Sequence, residues 1–268
     1  MPRKLRILST DVQHIYHEEY YLHRVDGFDQ FSQFDGTPQT LFERAKRNLD
    51  LLDIQPGEYF LDIGCGRGEV AIAAGFVGAI AIGIDFSKDA IMLAQQKLKT
   101  VMHNSNRDYR VFFLCSVATN DIFHANTFDK VLMSEFIEHI SPIERKIVLK
   151  NVRKWLKPNG KLLVYTCPNR WSRYLYPLIR RYVYWKTGND IGARPADTLH
   201  PDFNKYHLNE HSFVSLYIAL RSARFRQVRV WFDNPDACEQ CNVIKRSIKR
   251  SLLYNMLLGS HLTAVGVK

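Results

Sequence analysis

"FLDIGCGRGEV", residues Phe60 to Val70, runs from apolar residues into an acid, then three glycines at every second position, with Arg67 between the last two and Glu69 after them. It reads as a buried strand, a tight turn and the opening of a helix, the first unit of a parallel α/β sheet. The spacing also says what the turn is not. A dinucleotide loop needs G-x-G-x-x-G, and counting from Gly64 leaves Glu69 where the third glycine belongs; a P-loop needs G-K-[ST], which does not follow. Gly64, Gly66 and Gly68 form G-x-G-x-G, bare enough for a ligand to lie against the main chain. With Asp62 and Glu69 nearby, phosphate is repelled and a cation is welcomed. Asp85 comes 21 residues after Gly64, about where α/β nucleotide folds keep the acid that takes two ribose hydroxyls. A nucleoside with a positive charge and no phosphate fits best, and S-adenosylmethionine is such a molecule.

The same architecture extends in both directions along the chain. "EYFLDIG", "AIAIGID", "YRVFFLC", "FDKVLMSE" and "GKLLVYTC" read as strands. "GEVAIAAGFV", "SKDAIMLAQQKLKTVMH" opened by Ser87, and "SPIERKIVLKNVRKWLK" with Ser141 as N-cap and Pro142 in the first turn read as helices. The strands are short and rich in Val, Ile, Leu and Phe rather than alternating, as in a parallel sheet covered on both faces. "FRQVRVWFD" and "HLTAVGVK" add two strands around a basic helical stretch. The expected fold is α/β, a Rossmann-like doubly wound sheet of seven mostly parallel strands. With no internal repeat, one domain spans 1–268: a helical cap at 1–50, a cofactor-binding core at 51–169, an amphipathic insertion at 170–206, and a substrate-side part with the last strands at 207–268.

A chain of 268 residues, 46% apolar, can bury a sizeable core. Its longest apolar stretch, Ala71 to Ile84, is interrupted by Gly75, Gly78 and Gly83 and is too short to cross a bilayer as a helix. The basic N-terminus lacks the apolar core of a secretory signal, so a cytoplasmic location is expected. Five cysteines at 65, 115, 167, 238 and 241 make no disulfide framework, and the C-x-x-C of Cys238 and Cys241 lacks the second ligand pair of a zinc site. The net charge of +10 is concentrated: Arg170 to Lys186 carries five basic residues and no acid, and Lys245 to Arg250 adds four more.

"LDIGCGRG", "GIDFS", "FDKVLMSEFIEHI" and "LKPNGKLLVYTCPN", in that order between about Leu51 and Phe232, resemble the class I S-adenosylmethionine-dependent methyltransferases. The resemblance implies that Asp62 and the loop of Gly64, Cys65, Gly66 and Gly68 border the methionine part of the cofactor. It further implies that Asp85 holds the ribose, that Phe86 lies along the adenine, that Ser134 and Glu135 form the floor, and that the last strand is reversed. One departure is recorded: many members carry Gly-Asp after the third strand, where this chain has Cys115 and Ser116, leaving Ser116 as a weaker acceptor for the adenine amino group.

"SEFIEHISPIE" gathers Glu135, Glu138 and His139 within about a turn. In one reading His139, helped by Glu135, takes a proton from an acceptor hydroxyl. In the other, Glu135, Glu138 and His139 hold Mg2+ or Mn2+, which acidifies the acceptor oxygen; a similar E-x-x-E-H is found in ubiquinone-pathway O-methyltransferases and in small-RNA 2′-O-methyltransferases. His207, in "KYHLNEHSF", is a further candidate for the substrate side. The stretch after Asn169 places Trp171, Tyr174, Leu175, Leu178, Ile179, Tyr182 and Val183 at helical spacing with arginines mostly opposite, and "NVIKRSIKRSLLYNMLLGS" repeats the design. Three readings stay open: an anionic membrane surface met from the inner face, packing on the protein's own core, or a grip on nucleic acid. His14, Tyr16, His17, Tyr20, Tyr21 and His23 precede the core in the position of a substrate lid. The expected activity is O-methylation of a small or amphipathic acceptor, such as a lipid-linked or cell-surface glycan precursor or a natural product. Its rivals are an RNA 2′-O-methyltransferase and a catalytically silent cofactor-binding module.

Overall fold

The computed structural model describes residues 16–23, 27–105, 108–190, 192, 208–233 and 261–268. Seven strands form one sheet: β1 Tyr59–Ile63, β2 Ile80–Asp85, β3 Val111–Cys115, β4 Phe128–Ser134, β5 Leu156–Thr166, β6 Arg226–Asp233 and β7 His261–Val267. Their order is β3-β2-β1-β4-β5-β7-β6, parallel throughout except that β7 runs against both neighbours. The expected Rossmann-like α/β fold is therefore the observed one. Strand order reverses between β1 and β4, the switch point at which open α/β sheets bind ligands.

The helices are α1 Glu18–His23, α2 Phe28–Gln33, α3 Glu43–Leu52, α4 Glu69–Phe76, α5 Lys88–Ser105, α6 Pro142–Trp155, α7 Arg170–Thr187 and α8 Phe213–Ser222. Two apolar layers sandwich the sheet. Ala45, Leu49 and Leu52 of α3 lie with Ile72 of α4 and Val101 of α5 in one, and Val148, Val152 and Trp155 of α6 lie with Leu216 and Leu220 of α8 in the other. Helix α6 starts where expected: the Ser141 side chain accepts from the Glu144 N–H at 3.3 Å while the Glu144 carboxylate accepts from the Ser141 N–H at 2.8 Å, a closed capping box. Helix α8 is opened by the same device from Ser212 and Ser215, a start that the sequence reading missed. Buried Lys130 on β4 donates to the carbonyls of Leu52 at 2.9 Å and Asp53 at 3.2 Å, where a cation complements the C-terminal end of α3. That tie orients α3 across the sheet, with Arg44, Arg47 and Asn48 reaching groups at the carboxyl ends of β4 and β6.

Candidate functional site

All three loop glycines have left-handed backbone, with φ of 71° at Gly64, 51° at Gly66 and 81° at Gly68. Space forbids a side chain at two of them: a Cβ would lie 2.8 Å from the Phe136 ring at Gly64 and 2.5 Å from the Phe113 ring at Gly68. At Gly66 the nearest atoms, from the Tyr21 ring, stand 3.7 Å off, so this glycine serves the turn rather than a close packing contact. The main chain locks onto β2, since the Gly64 and Cys65 N–H groups both donate to the Ile84 carbonyl.

Asp85, at the end of β2, is buried. Its carboxylate accepts from the Gly66 N–H at 3.0 Å, the Ser87 N–H at 2.9 Å and the Tyr21 hydroxyl at 3.4 Å. Burial pushes its pKa up, and these donors pull back. Asp62, at the end of β1, is also buried; desolvation first, then repulsion from Asp85 and Glu69, pushes it up to about 7. Two buried carboxylates side by side, one short of charge partners, suit a bound cation. Glu69 corrects the sequence reading, because it faces Arg67 rather than the ligand: Arg67 Nε and Nη2 donate to its two oxygens at 3.1 and 3.0 Å. Phe86 and Ser116 flank Asp85; the Ser116 N–H donates to the Asp85 carbonyl and its hydroxyl to Val117 at 3.4 Å. The buried Cys65 thiol is pushed up by desolvation and by the neighbouring acids, as befits an inert loop residue.

The N-terminal cap closes over this loop. Tyr16 sets its ring edge against Phe86 at 5.2 Å, accepts from the Ser87 hydroxyl at 3.0 Å through its carbonyl, and brings its own hydroxyl to 3.0 Å from His139 Nδ1. The sequence placed Tyr16 in a lid but gave no sign of its pairing with His139.

The E-x-x-E-H group does not converge. Glu135 sits at φ 51°, in left-handed backbone that costs a non-glycine residue about 1–3 kcal/mol, and its N–H is held by the Tyr165 carbonyl at 2.8 Å. Its carboxylate takes the Arg44 guanidinium at 2.6 Å, and that guanidinium lies over the Phe42 and Tyr165 rings. Glu138 is fully buried; it accepts from the Thr166 hydroxyl at 2.9 Å and the Cys167 N–H at 3.3 Å, and desolvation followed by the charge of Glu135 pushes it up to about 8. It is a neutral strut between β4 and β5. Glu135, Glu138 and His139 thus face three different partners, and among the described residues no group of three His, Cys, Asp or Glu side chains could hold a metal ion. This geometry gives the Mg2+ or Mn2+ expectation no support.

Ser134 ends β4, its hydroxyl accepting from Asn48 at 3.1 Å. Beside it the Tyr165 hydroxyl is buried with no hydrogen-bond partner among the described residues, and the Tyr165 ring stacks on His261. Polar groups from α3, β4, β5 and β7 therefore gather beyond the strand ends, next to the glycine loop. His207, Cys238, Cys241 and the basic stretch Lys245 to Arg250 lie outside the described residues. The described histidine of that region, His211, is buried between Arg145 and Asn209, and desolvation with nearby arginines drives it down to about 3, so it stays neutral.

Helix α7 splits the single apolar stripe read from the sequence into two. Ser172 and Tyr176 are buried, with Leu175, Ile179 and Val183 half-buried beside them, whereas Tyr174, Leu178, Tyr182 and Trp185 point outward, Trp185 being 75% exposed. Arg170, Arg181 and Lys186 are exposed along the outer surface. No helix among the described residues is long and apolar enough to cross a membrane.

Comparison with known proteins shows what this chain is similar to. Residues 60–160 match the model of a methyltransferase domain. Among curated relatives, the chain is 32% identical over 124 residues to phosphoethanolamine N-methyltransferase of Triticum aestivum, covering 46% of this chain and 23% of that one. It is 31% identical over 132 residues to ubiquinone biosynthesis O-methyltransferase of Coxiella burnetii, covering 48% and 52%. The chain thus spans about half or less of the length of these relatives. Among solved structures, an S-adenosylmethionine-dependent methyltransferase from Archaeoglobus fulgidus shares the fold with TM-score 0.57 at 20% identity, covering 91% of this chain and all of that one. Phosphoethanolamine N-methyltransferase 2 of Haemonchus contortus, in complex with phosphomonomethylethanolamine and S-adenosylhomocysteine, does so with TM-score 0.58 at 19% identity, covering 92% and 59%.

Proposed function

We propose, with a methyltransferase domain at residues 60–160 as the premise, that this chain transfers the methyl group of S-adenosylmethionine to a hydroxyl of a small or amphipathic acceptor. The residues present fit that cofactor: a bare left-handed loop, a buried carboxylate fixed by two main-chain N–H groups, and a second buried acid short of positive charge. Asp85 would hold the ribose hydroxyls, Phe86 and Ser116 would border the adenine, and Asp62 with Gly64 to Gly68 would border the sulfonium end. When bound, the cofactor supplies a methyl group already activated by positive sulfur.

The observation that carries this reading is Tyr16, which touches Phe86 on the nucleoside side and His139 on the acceptor side. One residue thus links the proposed nucleoside side to the proposed acceptor side. With the proton on Nδ1, His139 would donate to Tyr16 Oη and take the acceptor's proton on Nε2. Arg44, Glu135 and the Tyr165 hydroxyl line the neighbouring strand ends, a polar wall for a hydroxyl-bearing molecule. Rate enhancement comes chiefly from holding donor and acceptor in line, so a cap that excludes water and fixes both partners is the principal catalytic device.

The test is transfer of radiolabelled methyl to cell extract separated into lipid, RNA, protein and small-molecule fractions. Label is expected as a methyl ether in the lipid or small-molecule fraction. Label on nitrogen, label in RNA, or cofactor binding without any turnover would each overturn the hydroxyl assignment.

The outer stripe of α7 supports a second part of the reading, contact with an anionic membrane. Exposed Tyr174, Leu178, Tyr182 and Trp185 beside Arg170, Arg181 and Lys186 match the amphipathic chemistry of an interfacial helix. Replacing Leu178 and Trp185 by serine is expected to cut sedimentation with vesicles containing phosphatidylglycerol at least fivefold, with little effect on vesicles of phosphatidylcholine alone. These residues are exposed, so stability should barely change, and equal sedimentation of variant and parent would remove the membrane from the reading.

A further inference from the structure

Arg67 is the middle residue of the glycine loop's second half and is 2% exposed, a rare state for an arginine. Its guanidinium uses two edges and a face at once. Nε and Nη2 grip Glu69 at 3.1 and 3.0 Å, Nη1 donates to the Tyr21 carbonyl at 3.1 Å, and its face lies 4.6 Å from the centre of the Phe31 ring. Lys97 of α5 completes the grip, donating to the Phe31 carbonyl at 2.8 Å with its ammonium 4.5 Å from the same ring. Tyr21 belongs to α1, Phe31 to α2, and Glu69 opens α4 directly after the loop. A single buried side chain therefore joins the cap to the loop expected to border the cofactor.

What the cap carries gives this joint its importance. Docked by Arg67, Tyr21 places its hydroxyl on Asp85 and its ring over Gly66, and five residues earlier Tyr16 reaches His139. Among the described residues this end of the cap is also tied to the core by the Ser87 hydroxyl, which donates to the Tyr16 carbonyl, and by the exposed contact of the Glu18 N–H with Asp89 at 3.1 Å. Arginine suits the task and lysine does not, because a planar fork serves two acceptors at fixed angles while an ammonium offers one compact charge.

We infer that Arg67 is a positioning residue that couples cap docking to cofactor binding, acting through Tyr21 and Glu69 rather than by touching the cofactor. This rests on the methyltransferase reading. Coupling is reciprocal: if a docked cap raises cofactor affinity by some factor, bound cofactor must favour cap docking by the same factor. Chymotrypsin reads the docking directly, since its preferred sites in the cap include Tyr20, Tyr21, Phe28 and Phe31.

The experiment combines cofactor titration by calorimetry with the rate of chymotryptic cleavage in the cap, with and without saturating S-adenosylmethionine. For the parent protein, cofactor is expected to slow cleavage at least tenfold. For R67K, which keeps the charge opposite Glu69, cofactor affinity should fall at least tenfold, basal cap cleavage should rise, and protection by cofactor should shrink by the same factor as affinity. If R67K does not fold, the variant R67Q/E69Q, which removes both buried charges together, carries the same expectation. Parent-like affinity and parent-like protection in the folded variant would overturn the coupling, as would weaker affinity with protection unchanged. Absence of cofactor binding by the parent would instead overturn the methyltransferase reading, and fast cap cleavage in R67K alone would still show the joint.

Discussion

Replacing His139 with alanine lowers kcat by about 10²- to 10⁴-fold, the range that a positioned general base contributes, and leaves cofactor affinity within about twofold of the parent. The split follows from where His139 stands. Its described hydrogen bond is to Tyr16 rather than to the glycine loop or Asp85, so removing it leaves Asp62, Gly66 and Asp85 untouched. Tyr16→Phe keeps the aromatic contact with Phe86 but removes the oxygen that selects the Nδ1–H tautomer, so it should cost less, about tenfold in kcat, through a smaller share of correctly protonated imidazole. Parent-like turnover in H139A would remove His139 as the base. It would move the mechanism to a pre-ionised acceptor or to Glu135.

The glycine loop was legible because its constraints are local. A left-handed turn at Gly64, Gly66 and Gly68 is written in the residues themselves, and the apolar runs before and after it can only be buried strands and a covering helix. Asp85 was legible for the same reason, being set by the length of one βαβ unit. The relations between distant segments were not. Arg44 finds Glu135 across 91 positions and Tyr16 finds His139 across 123, and no periodicity signals either meeting. The E-x-x-E-H group shows how local spacing misleads: three residues within one turn share a face only if that turn is helical, and here Glu135 is left-handed while Glu138 is drawn under the sheet by Thr166. Glu69 is a similar case, since its charge seemed available to a ligand until the buried guanidinium two residues away was seen to claim it. The α7 stripe was correct in composition and wrong in facing, because periodicity marks apolar positions without saying which of them the body of the protein covers.

Asp85→Ala should weaken cofactor affinity by about 10²-fold in calorimetric titration, from two lost hydrogen bonds to a charged group at about 1.5 kcal/mol each. The effect should carry a signature in pH. Asp62 stands at about 7 because it is buried beside Asp85 and Glu69. Such a raised pKa contributes stability below the ordinary carboxylate range that is lost as pH climbs through about 7, and a bound cation reverses the cost by favouring the ionised form. Affinity of the parent for the sulfonium cofactor should therefore rise with pH through this range, by up to tenfold per unit, as proton release on binding becomes unnecessary. Removing Asp85 takes away a repulsive neighbour and should move that rise to lower pH, while Asp62→Asn should abolish it and weaken binding at pH 8. S-adenosylhomocysteine lacks the positive sulfur and should show a much flatter dependence than the methyl donor. Equal pH dependence for the two ligands would mean that Asp62 does not face the sulfonium, and unchanged affinity in the Asp85 variant would take the ribose away from β2, leaving the glycine turn as a structural feature alone.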